Sequence, residues 1–104
     1  MDLVVVSLPN HLHLEAVRAA AAQGKAVACT KPLGRNAIEA GEMLHLVEDA
    51  GVFNAYLENV VFTSETVRMR EMIESGAIGR LTTFRAREGH SGPHATHFWD
   101  AELA

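Results

Sequence analysis

Three short apolar runs, separated by two stretches of helical spacing, constrain this chain more than any single residue does. The first, Leu3-Val4-Val5-Val6-Ser7-Leu8, is β-branched at its centre and stops at Pro9-Asn10. A continuous apolar run of that length reads as a strand buried on both faces, as in a parallel sheet. Asn10 is then placed as the N-cap of a helix running to about Gln23, with Leu14, Val17, Ala20 and Ala21 as its apolar stripe. Gly24 fits the left-handed residue that closes such a helix, and a second strand follows over about residues 26–29. The cycle repeats. Asn36 with Glu39 three residues on makes a cap pair, Ala37, Ala40, Leu44 and Val47 carry the next stripe, and Gly51 closes it. A third strand is expected over about residues 52–57, which makes the order βαβαβ, with connections long enough for right-handed crossovers.

That topology has a consequence. Two successive right-handed crossovers in one direction put both helices on the same face of the sheet. The strands are apolar on both faces, so the second face needs a cover that these residues do not supply. The expected fold class is α/β, as one half of a doubly wound parallel sheet. Beyond Asn59 the pattern changes: Thr63-Ser64-Glu65 opens a third helix with Met69, Met72 and Ile73 on one face, and Ser75-Gly76 ends it. Residues 81–88 alternate, Thr82, Phe84 and Ala86 against Thr83, Arg85 and Arg87, as a strand with one polar face does. A domain boundary is therefore expected near Asn59, dividing residues 1–58 from 59–104.

Composition narrows the partners. The formal charge of −4 and the nine scattered Lys and Arg residues offer no basic stripe to nucleic-acid phosphates and no basic amphipathic helix to a membrane. A single cysteine excludes an internal disulfide framework and fits a reducing compartment. No apolar run approaches the ~20 residues of a membrane span, and Met1-Asp2 lacks the basic start of a secretory signal. The expected location is the cytoplasm.

Several short motifs, in order, resemble those of the glucose–fructose oxidoreductase / inositol dehydrogenase / MocA family of nicotinamide-dependent oxidoreductases. Ser7-Leu8-Pro9-Asn10-His11-Leu12-His13 resembles the family's [ST]-x-P-N-x-x-H turn, and residues 24–33, from Gly24-Lys25 to Lys31-Pro32-Leu33, its G-K-H-V-x-C-E-K-P-[LI] segment. Glu58-Asn59 with Phe62 falls at a Y-N-x-R-F pattern, and Ile73-Glu74-Ser75-Gly76-Ala77-Ile78-Gly79 resembles the I-x-S-G-x-I-G join into a second domain. Three positions depart from it: Thr30 stands where the family has Glu, Val61 where it has Arg, and Ser64 where it has Pro. The first departure removes a carboxylate expected near the nicotinamide ribose, the second a cation near the site.

The resemblance implies the C-terminal half of a Rossmann domain over residues 1–58 and the start of an α+β substrate domain over 59–104. A Gly-rich fingerprint in a first half of about 60 residues or more would precede it, so the chain is expected to be a fragment, inactive by itself. The implied activity is hydride exchange between NAD or NADP and a secondary alcohol of a sugar or cyclitol, in a homo-oligomeric parent protein. Two alternatives stand beside it: an NAD-dependent glycosidase working by transient oxidation, and a non-catalytic module that associates with a partner chain.

Lys31, one of two lysines, follows the second strand at the carboxyl end of the sheet, where open α/β sheets bind ligands. Its ammonium there could hydrogen-bond a substrate hydroxyl and stabilise the alkoxide, the role the resemblance implies. Pro32 biases Lys31 to extended backbone and permits a cis peptide, the minority form of such bonds. Ser7, Leu8, Pro9, Asn10 and His13, on the first strand-to-helix turn, and Thr30, Lys31 and Pro32 are implied cofactor contacts, with N–H groups at the helix start facing ribose and pyrophosphate. Glu58 and Asn59 are implied contacts at the nicotinamide side, or else cap a loop. His90 and His94 are candidate substrate contacts. A metal site built from them with His97 is not expected, since no helical frame and no neighbouring Cys fixes their geometry. Cys29, inside an apolar run, reads as a core residue.

Overall fold

The computed structural model describes residues 1–89, 91–92, 95–101 and 103. By its internal contacts the chain divides into two units, residues 1–57 with the described part of 93–104, and Glu58–Gly92. The tail, expected to continue the second domain, thus groups with the first.

The first unit is the predicted βαβαβ: β1 (Leu3–Val6), α1 (His13–Ala22), β2 (Ala26–Thr30), α2 (Ala37–Asp49) and β3 (Asn54–Leu57). All pairings are parallel and β2 is central, with Val6 level with Cys29 and Cys29 level with Tyr56. Strand periodicity then sorts the side chains. Val4, Val6, Val27 and Cys29 face the helices and form one core with Val17, Ala20 and Ala21 of α1 and Met43 and Val47 of α2. On the other face, Leu3 is 46% and Val5 58% exposed. The bare apolar face expected from two same-handed crossovers is therefore present.

Helix α1 starts later than expected. Asn10–Leu12 is a 3-10 turn with Pro9 at its cap position, and the Asn10 side chain makes no capping bond. The turn closes on its backbone, with Leu12 N–H donating to the Pro9 carbonyl (2.9 Å) and His13 N–H to that of Asn10. A side-chain cap has no donor left to satisfy at those positions, which explains the difference. Gly24 and Gly51, with φ of 62° and 61°, close the two helices as expected.

At α2 the cap is as predicted: Asn36 Oδ1 accepts from the N–H groups of Ile38 and Glu39, both at 3.0 Å. Of the expected stripe Val47 is buried and Ala40 partly so, but Met43 takes the place of Leu44. Met43 is 2% exposed and Leu44 46%. The frame runs Met43–Val47, because the helix lies beside α1, to which Arg18 and Glu42 also tie it by an ion pair.

The second unit contains a 3-10 turn (Val60–Phe62) and α3 (Ser64–Glu74), capped by Thr63 Oγ1, which accepts from Thr66 N–H at 3.4 Å. Met69, Met72 and Ile73, placed on one face of this helix, are exposed. Residues 81–89 form no strand despite their alternation. A strand's backbone donors and acceptors need a partner strand, and among the described residues none pairs with this segment.

Three stability changes follow. Met43→Ala should cost about 2–5 kcal/mol, as for a buried large-to-small change, and Leu44→Ala about 1 kcal/mol or less. Asn36→Ala should cost about 0.5–2 kcal/mol for the lost cap. Denaturant unfolding of the variants measures all three; equal losses at 43 and 44 would contradict the helix frame.

Candidate functional site

The carboxyl edge of the sheet carries two turns side by side, because β1 and β2 pair in register and end together at Val6 and Cys29–Thr30. After β1 come Ser7 and Leu8, both exposed, then half-buried Pro9 and buried Asn10. After β2 comes half-buried Thr30, then exposed Lys31 and half-buried Pro32. The Lys31–Pro32 peptide is cis. Lys31 thus stands in solvent on the edge where ligands bind in such sheets.

Beneath the two turns lies His13, fully buried at 0% exposure. Its Nε2 lies 2.8 Å from the Leu8 carbonyl, and its Nδ1 3.0 Å from the Pro32 carbonyl and 3.4 Å from that of Leu33. The side chain is committed to protein backbone, and the His13 backbone N–H donates to the Asn10 carbonyl within the turn. The helical spacing contained the signal: positions 13, 17, 20 and 21 form one stripe, and His13 is its first residue. The Cys29 thiol sits 3.5 Å from Nδ1, and burial pushes its pKa up. A neutral buried thiol suits the core role and not a nucleophile's.

The far end of the Lys31 loop is anchored as well. A Cβ on Gly34 would lie 2.8 Å from the Ala40 backbone nitrogen, so the loop presses against the first turn of α2 at a point where no side chain fits. Arg35 donates its backbone N–H (3.0 Å) and its Nε (2.9 Å) to the Glu39 carboxylate. These bonds, the side-chain one foremost, hold the Glu39 carboxyl below the ordinary glutamate range. The Glu39 N–H is bound by Asn36, as the expected cap pair requires, while its carboxylate turns to Arg35, one residue earlier.

Glu58 and Asn59 follow β3 and belong to the second unit. Glu58 Oε1 accepts from Val60 N–H at 3.0 Å, and Asn59 precedes the 3-10 turn with no side-chain capping bond. His90 and His94 lie outside the described residues. An apolar cavity of about 150 Å³, lined by Val17, Leu33, Met43 and Tyr56 among others, opens beside α2 and β3 and includes none of the edge residues.

The dinucleotide implied by the resemblance meets a divided edge. The Ser7 hydroxyl, the exposed Leu8 surface and the Lys31 ammonium suit a ribose, a flat ring and a developing negative charge. A pyrophosphate needs free N–H groups at a helix start; at this turn Pro9 has none and those of Leu12 and His13 are bonded within the turn, which leaves those of Asn10 and His11. The residues present fit the nicotinamide–ribose end of the cofactor better than its phosphates.

Comparison with known proteins agrees with this geometry. Residues 1–57 match the model of the oxidoreductase family with an NAD-binding Rossmann fold, GFO_IDH_MocA. The levoglucosan dehydrogenase of Pseudarthrobacter phenanthrenivorans is 39% identical over 85 residues, which is 82% of this chain and 22% of that protein. D-xylose 1-dehydrogenase (NADP(+)) 2 of Haloferax volcanii is 38% identical over 94 residues, 86% of this chain and 29% of its own length. A solved levoglucosan dehydrogenase in complex with NADH and levoglucosan superposes with a TM-score of 0.70 at 38% identity, over 77% of this chain and 22% of that one. The chain therefore spans between a fifth and a third of these relatives. With its parallel sheet, its strand-end turns and these matches, the chain belongs to the Gfo/Idh/MocA family of NAD-binding Rossmann-fold oxidoreductases.

Proposed function

We infer that this chain supplies the nicotinamide-side edge of an NAD(P)-dependent oxidoreductase acting on a secondary alcohol of a sugar or cyclitol. The observation that carries the reading is the placement of Lys31: an exposed ammonium directly past the central strand, beside the turn that follows its parallel neighbour. The relatives named for levoglucosan and D-xylose support a sugar as the substrate class.

A bound NAD or NADP would accept the hydride from the alcohol carbon. Lys31 hydrogen-bonds the alcohol oxygen and stabilises the negative charge that grows there as the proton leaves. Ser7, Leu8 and Thr30 line the edge on either side of it, and Pro9, Asn10 and Pro32 shape the two turns. Glu58 and Asn59 complete the nicotinamide side, and His90 and His94 contact the sugar. Thr30 offers a hydroxyl where the family pattern has a carboxylate, so any ribose contact there is weaker than a charge-assisted one. The working protein is read as a cytoplasmic homo-oligomer, which the single buried cysteine supports as to compartment. Among the described residues no helix is long and apolar enough to cross a membrane. Because the resemblance places the Gly-rich phosphate site in a first half of the domain, the chain is read as inactive when isolated as residues 1–104.

In the product of the complete reading frame, Lys31→Ala should lower kcat/KM about 10²- to 10⁴-fold, the range for a positioned proton-transfer group. Formation of NADH or NADPH with levoglucosan, D-xylose and myo-inositol as probes measures it, and unchanged turnover would remove Lys31 from the site. Purified residues 1–104 should form no NADH or NADPH with any of these alcohols; turnover by them would overturn the reading of the isolated chain.

A further inference from the structure

Heading the apolar stripe of α1, His13 is the largest fully buried side chain among the described residues. An imidazole in such a place costs desolvation unless both its nitrogens are partnered. Both are, and the partners lie on different turns. Nε2 reaches the Leu8 carbonyl after β1 at 2.8 Å, and Nδ1 the Pro32 carbonyl after β2 at 3.0 Å. With its proton on Nε2, the ring donates to Leu8, while Nδ1 faces the Pro32 carbonyl and the Cys29 sulfur, 3.5 Å away. A hydrocarbon ring would fill the same space and leave the Leu8 carbonyl without that donor.

The residue between β2 and Pro32 that this arrangement bears on is Lys31. No ion pair among the described residues holds its ammonium, so its place is set through its backbone. We propose that His13 is a positioning residue: by donating to the Leu8 carbonyl while its ring stays in contact with the Pro32 carbonyl, it clasps the two turns and fixes where Lys31 stands relative to the turn after β1. The proposal rests on the reading of Lys31 given above, and the test separates the two.

In the product of the complete reading frame, His13→Phe keeps a buried ring and removes the ring donor. Its kcat per folded molecule should fall about 10- to 100-fold, the scale of an ångström's misplacement, while KM for the dinucleotide changes less than about threefold. His13→Gln, which returns one amide donor, should recover part of the loss. In a Lys31→Ala background, His13→Gln should cost nothing further, because its effect passes through Lys31. Equal losses in both backgrounds, or full kcat in folded His13 variants whose Lys31→Ala parent is impaired, would overturn the clasp alone. A Lys31→Ala enzyme with full turnover would overturn the Lys31 reading and the clasp with it. Should neither His13 variant fold, a scalar coupling across the hydrogen bond from His13 Nε2–H to the Leu8 carbonyl, sought in the wild-type chain by ¹⁵N NMR, decides: its detection supports the clasp and its absence refutes it.

Discussion

Parallel strands can be joined only by a crossover, and the right-handedness of that crossover places nearly everything else in this molecule. It sends α1 and α2 to one face, where Val17, Ala20, Ala21, Met43 and Val47 meet Val6, Val27 and Cys29 in a single core. It leaves Leu3 and Val5 facing outward. It also brings the ends of β1 and β2 to the same edge in register, so that residues separated by some twenty positions in the sequence become neighbours there. The edge is a product of the topology before it is a product of any motif.

Within that edge the polar groups divide the work. Lys31 is exposed, and among the described residues no ion pair holds it. His13 is buried and wholly engaged. Rigid support beneath a mobile charged group is what a precise contact requires, since a long lysine side chain loses much rotamer freedom on binding. The same loop is fastened again at its far end by the close approach of Gly34 to α2 and by the Arg35–Glu39 bonds. The edge suits one half of a dinucleotide, and the exposed sheet face lies on the opposite side from the helices that build the core.

Much of this was legible in the residues themselves. Continuous apolar runs identified the parallel strands, and Asn36, Gly24 and Gly51 marked helix ends by backbone chemistry that neighbours do not alter. What failed was whatever depends on packing partners. The Leu44 stripe slipped to Met43 because the seam with α1, and not the helix alone, sets which side is inward. Asn10 gave way to a turn closed on its own backbone. Residues 81–88 alternate as a strand would, but alternation describes a face and not a neighbour to pair with. The burial of the His13 side chain was not read, although its spacing to Val17, Ala20 and Ala21 pointed inward.

The central claim is that the turns after β1 and β2 together form the cofactor edge. Hydrogen exchange read by mass spectrometry on the product of the complete reading frame, with and without saturating NADH, tests it most directly. The account predicts slowed exchange at peptides covering Ser7, Leu8 and Asn10 and at those covering Thr30 and Lys31, in both turns at once. Protection that spares either turn, or that is confined to the cavity beside α2 and β3, would contradict it.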